Sequence, residues 1–280
     1  MSGGAFRELL EQLDIRSGDL VYVHSSYSRL RQLGTVDELL ATLLSVLGPR
    51  GTAVFPSFAW NLDRTARPWK GYADYYRTRP VFDVCETPTN IGWLAERFRV
   101  LPEVRRSLSY CWSIAARGPL AELLTDGQLH VTHPFGERSS FDLLRQHGAK
   151  IVGLGVTLNT SSLAPLVDYA LGERHPHAVF GEAPEAGDIV DNAGQRHRSW
   201  TYFLLPDVVR LIKPSVVFDT SSALHAVVRR ADQGETIYFA YPFAEYYSVA
   251  LEHGRHAATA DAAVPWLEAY PRRAHQALRA

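Results

Sequence analysis

The chain has 280 residues, 46% hydrophobic and 21% charged, an ordinary globular composition with length enough for one large α/β domain or two small ones. Lys and Arg number 29 against 30 Asp and Glu, so no global field draws the protein to nucleic-acid phosphates or an anionic membrane, and a small molecule or another protein is the expected partner. No apolar run is long enough to span a bilayer, and two cysteines, Cys85 and Cys111, are too few to hold a metal cluster.

The start, MSGGAFRELLEQLDIRSGD, reads as an amphipathic helix without the apolar core of a signal peptide, so a cytoplasmic location is expected. Leu20 to His24 (LVYVH) reads as a buried strand ending in a polar Ser-Ser-Tyr-Ser loop. A helix follows, capped by Thr35 or Asp37, with Leu39, Leu40, Leu43, Leu44 and Leu47 on its apolar face and Gly48 to stop it. The segment GTAVFPSF is the next strand, and strand, helix, strand at this spacing is the unit of an α/β sheet.

Residues 61–83, rich in Arg, Tyr and Trp, show no clean period and form an excursion of the kind that often serves as a lid or binding loop. Ser140 to His147 reads as helix, Lys150 to Val156 as strand and Ser162 to Leu171 as helix. The polar stretch around 180–198, with Asp188, Asp191, Asn192 and Gly194, predicts a surface hairpin, and ETIYFAYP a last strand. The economical reading is one α/β domain over 1–280 with a mixed sheet. Gly153 to Leu158 (GLGVTL) lacks the third glycine of a dinucleotide fingerprint, and nucleotide binding is discounted.

Four segments in order resemble the aminoglycoside 3-N-acetyltransferase family. They are VYVHSSYSRL with the GTAVFPSF strand, TPTNIGWLAERFRVLPEVRRSLSYCWSIAARGP, HPFGERSSFDLL, and KIVGLGV with the helix after it. The resemblance implies a three-layer α/β/α fold with a mixed central sheet. It further implies a cleft for acetyl-CoA or another acyl-CoA, transfer of the acyl group to a primary amine, and no metal. It points to His24, Ser25, Ser26, Ser107, Ser113, Phe135, Gly136, Arg138 and Ser139 as the donor-binding set. The bland reading of these residues is helix caps, buried hydroxyls, a turn glycine and a core histidine.

The pattern fails at the base. Acyl transfer to an amine needs a proton acceptor and preorganised donors for the oxyanion. The family's histidine, in a Thr-x-Leu-His-x-x-Glu helix start, is replaced here by Ala164 or Pro165. The alignment that keeps an acid puts Ser162 in the Thr slot and Asp168 in the Glu slot. A second family histidine, in Ser-x-His-Pro, gives way to Ser109 and Tyr110. Three replacements compete. Asp168 takes the proton of an amine of low pKa, Cys111 accepts the acyl group as a thioester, or His175 or His177 supplies the imidazole from another backbone position.

Residues 61–79 carry Arg64, Arg67, Lys70, Arg77 and Arg79 against Asp63 and Asp74, a poor cradle for a polycation. The leading expectation is a biosynthetic N-acyltransferase acting on a small-molecule amine, with an acyl carrier protein as a second donor or partner, self-association left open, and antibiotic resistance second. The alternatives are a non-catalytic relative that binds the donor, which would show no transfer to any amine, and other thioester chemistry in the same cleft, which would give product without one.

Overall fold

The computed structural model describes residues 3–59, 80–89, 91–160, 162–175, 178–204, 214–231 and 237–259. Most of the excursion expected at 61–83 lies outside the described residues, as do His177 and the start of the last predicted strand.

A seven-stranded mixed sheet runs in the order β4-β5-β2-β1-β6-β10-β9. Its strands are β1 (Leu20–Ser25), β2 (Thr52–Pro56), β4 (Arg105–Arg106), β5 (Ile114–Arg117), β6 (Lys150–Leu154), β9 (Arg229–Arg230) and β10 (Tyr238–Pro242). β1 pairs in parallel with β2 and β6, whereas β5, β10 and both edge strands pair antiparallel. The central strands are apolar on both faces because helices cover both, as parallel strands require.

Period-two alternation sorts those faces into two cores. Val21, Val23, Phe55, Val152 and Tyr238 pack with α1 (Gly3–Gln12), α2 (Val36–Leu47) and α3 (Trp93–Arg99). Leu20, Tyr22, Val54, Ile151 and Phe239 pack on the other side with α4 (Ala121–Thr125), α5 (Ser140–Gln146), α6 (Ala164–Leu171), α7 (Pro214–Thr220), α8 (Ser222–Val227) and α9 (Phe243–Thr259). The architecture is three-layer α/β/α, as the resemblance implied.

Local chemistry sets the boundaries. Thr35 caps α2 in a complete capping box with Glu38, and Gly48 ends the helix at φ +63°. β6 stops at Leu154, two residues short of the predicted Val156, because Gly155 turns the chain at φ +70°. α6 starts at Ala164 rather than Ser162, since Pro165 is tolerated only in a first helical turn.

A second sheet has the order β3-β7-β8, from β3 (Phe82–Asp83), β7 (Glu185–Val190) and β8 (Arg196–Thr201). Asp191 closes the β7–β8 turn, its Oδ1 accepting from the amides of Ala193 and Gln195 at 2.9 Å each. This sheet joins the larger core through Phe82 and Ile189.

Candidate active site

β1 and β6 are parallel neighbours, but the helix after β1, α2, covers one face and the helix after β6, α6, covers the other. Chains that diverge in this way leave a crevice at the carboxyl ends of the two strands. His24, Ser25 and Ser26 leave β1 at that crevice, with the Ser26 amide donating to the Leu154 carbonyl at 2.9 Å.

Leu20, Tyr22 and His24 alternate onto the α6 side of β1, which brings Tyr22 and His24 together edge to face with ring centroids 5.0 Å apart. Ser162, just before α6, joins them: its Oγ lies 3.2 Å from the Tyr22 hydroxyl and 3.5 Å from His24 Nε2. His24 is only 5% exposed, and burial lowers its pKa to about 4, so the imidazole is neutral at physiological pH. Burial raises the Tyr22 phenol, with the Ser162 hydrogen bond opposing, so Tyr22 keeps its proton. Ser162 is half-buried and open to solvent.

Asp168 and His175 also meet. The Asp168 carboxylate lies 3.5 Å from His175 Nε2, with side chains 1% and 2% exposed. Neither Asp168 oxygen has a hydrogen bond among the described residues. The chain returns after α6 through a tight turn in which the His175 amide donates to the Gly172 carbonyl at 3.0 Å, placing the imidazole back beside the helix.

The other expected residues fall into separate groups. Gly136 and Arg138 line an open cavity of about 540 Å³ with Thr132, His133 and Tyr169. His133 lies tilted against Tyr169 with ring centroids 4.0 Å apart, and burial lowers its pKa to about 4. Ser139 caps α5 by accepting from the Asp142 amide at 3.2 Å, and Phe135 stacks on Phe141 in the core. Ser107 and Ser113 are buried in the β4–β5 turn, where Ser113 donates to the Ser107 carbonyl at 2.8 Å and Ser107 Oγ accepts from the Ile114 amide at 3.0 Å.

Cys111 is 1% exposed, and burial pushes its thiol well above its ordinary value, the opposite of what an acyl-accepting thiolate needs. Tyr110, which with Ser109 stands where the resemblance has the His-Pro of Ser-x-His-Pro, is also core: its ring packs against Gly187 of β7 and its hydroxyl donates to the Pro80 carbonyl at 2.7 Å. Sequence reading missed Tyr22 as a site residue. The available signal was its position two residues before His24 on one strand face.

The family model for aminoglycoside 3-N-acetyltransferase matches residues 22–240. Aminoglycoside N(3)-acetyltransferase III from Salmonella sp is 34% identical over 162 residues, 56% of each chain. The protein thus spans about half the length of that relative. Among solved structures, AAC-IIIb in a binary complex with CoASH superposes with a TM-score of 0.67 at 20% identity, over 90% of this chain and 95% of that one. AAC-VIa bound to sisomicin gives 0.67 at 20% identity, over 93% and 99%. The shared fold and the match over most of the chain place this protein in the aminoglycoside 3-N-acetyltransferase family.

Proposed function

We propose that the protein is an N-acyltransferase that takes an acyl group from acyl-CoA and passes it to a small-molecule amine at the crevice between β1 and β6. The observation that carries this reading is the neutral His24 imidazole beside the half-exposed Ser162 hydroxyl at the carboxyl ends of two parallel strands. Relatives named for N(3)-acetylation, and a fold neighbour with CoASH bound, support acyl-CoA as the donor.

In this reading His24 Nε2 receives the proton that the amine loses on attacking the thioester carbonyl. Tyr22, fully buried, holds the Ser162 hydroxyl beside His24 through the 3.2 Å contact between the two hydroxyls. Asp168 and His175, being buried, hold α6 in place rather than touch the acceptor. Cys111, Ser107 and Ser113 take no direct part. Gly136, Arg138 and Ser139 belong to the α5 start and extend the donor site if the coenzyme reaches the His133 cavity.

The acceptor we propose is less cationic than an aminoglycoside, because residues 61–79 carry five Arg and Lys against two Asp. A biosynthetic amine fits this better than a polycationic antibiotic.

Calorimetry of acetyl-CoA with the purified protein, followed by a CoA-release assay over a panel of amines, tests the reading. Micromolar binding with amine-dependent release, reduced on the order of a hundredfold in His24→Gln, supports it. Binding without release on any amine would point instead to a non-catalytic donor-binding relative. Absence of binding would sink the proposal.

A further inference from the structure

We propose that Ser162 is itself an acyl acceptor, so that the protein forms a covalent acyl-Ser162 intermediate and, with no amine present, slowly hydrolyses acyl-CoA. The inference rests on the preceding reading that acyl-CoA enters this crevice.

The geometry is that of a nucleophile with its base. Ser162 Oγ lies 3.5 Å from His24 Nε2, a contact of the loose kind seen before substrate binds. Ser162 is half-exposed, whereas His24 lies behind it at 5% exposure. A thioester entering the crevice therefore meets the hydroxyl before the imidazole.

Tyr22 supports the pair from the other side. Its phenol, held protonated by burial, lies 3.2 Å from Ser162 Oγ in a contact where either oxygen can donate; with Tyr22 as the donor, the Ser162 proton is left to point at His24 Nε2. Among the described residues no counter-charge favours an imidazolium at His24, and burial lowers its pKa to about 4. It therefore accepts a proton only transiently and returns it quickly. That suits a relay between two neutral states better than storage of charge.

The step balances as follows. Ser162 Oγ bonds to the thioester carbonyl carbon while its proton passes to His24 Nε2. The tetrahedral intermediate collapses with cleavage of the carbon–sulfur bond, and the departing thiolate takes the proton from His24. An amine or a water molecule then attacks the Ser162 ester, giving up a proton to His24, which returns it to Ser162 Oγ as the carbon–oxygen bond breaks. With water the net reaction is acyl-CoA plus water to carboxylate, free CoA thiol and one proton released to solvent.

The test uses the full chain and acetyl-CoA without amine. Intact mass spectrometry after rapid acid quench should show a gain of one acetyl group, and peptide mapping should place it on the peptide containing Ser162. CoA release without amine should fall on the order of a hundredfold in Ser162→Ala. Ser162→Cys, which keeps a nucleophile of similar size, should carry the acetyl group as a more persistent thioester. Measured binding of acetyl-CoA with no adduct in either the parent or the Ser162→Cys protein would overturn this proposal while leaving the acyltransferase reading standing. Loss of acetyl-CoA binding in the parent protein would overturn both.

Discussion

The ring of Phe239 fills the space that a side chain on Gly153 would need, and Gly153 pairs across the sheet with His24. Three adjacent strands thus place an aromatic ring, a missing side chain and the site histidine on one rung. Gly153→Ala should drive the Phe239 ring out of position. The expected cost is about 1–3 kcal/mol, read as a lower denaturation midpoint with an unchanged m-value. Phe239→Leu in the same chain should recover part of it, so that the double variant loses less than the sum of the two single changes.

His24 gives stability a defined pH dependence. Its folded pKa of about 4 lies below the ordinary 6.5, so between these values the unfolded chain binds a proton that the folded chain refuses. Stability is full above about pH 6.5 and falls as pH drops toward 4, by about 3 kcal/mol at most for this group. Denaturation curves across that window should show a shallower slope in His24→Gln. Some slope remains, because His133 is shifted in the same direction. The acid limb of CoA release without amine should likewise lie near pH 4 rather than 6.5.

The Asp168–His175 pair predicts an asymmetry between single and double changes. Asp168→Ala leaves a buried imidazole without its acid, and His175→Ala leaves a buried carboxylate without its base. Each should cost on the order of 3 kcal/mol. Replacing both residues by apolar groups of similar volume should cost less than either single change, measured as a double-mutant cycle by chemical denaturation.

A histidine in place of Tyr110, next to Ser109, should harm this chain. Tyr110→His removes the donor to the Pro80 carbonyl and shortens the ring that packs on Gly187. A loss of about 1–3 kcal/mol is expected, with no gain in acyl transfer. A gain in transfer at unchanged stability would contradict the core role of Tyr110.

The local elements were legible because their signals are local. The Thr35 to Gly48 frame of α2 depends on a cap, a leucine stripe and a left-handed stop, all within one short stretch of chain. The apolar run of β1 depends only on its own residues and their alternation. The edges of β6 and α6 were misread by two residues, since Gly155 and Pro165 act through backbone conformation rather than hydrophobic period.

The site was legible only in part. The sequence by itself determined the strand-end position of His24, because strand alternation and the following Ser-Ser loop fix it. Only the tertiary structure decided which groups meet. Ser162 is 138 positions from His24 and 140 from Tyr22, and it reaches them because β6 inserts beside β1 and carries α6 over the same face. Tertiary packing likewise made Cys111 and Tyr110 core residues, with Gly187 of β7 covering the Tyr110 ring from far along the chain. Side-chain chemistry is written in the sequence, but burial and proximity depend on contacts between segments whose spacing along the chain carries no signal.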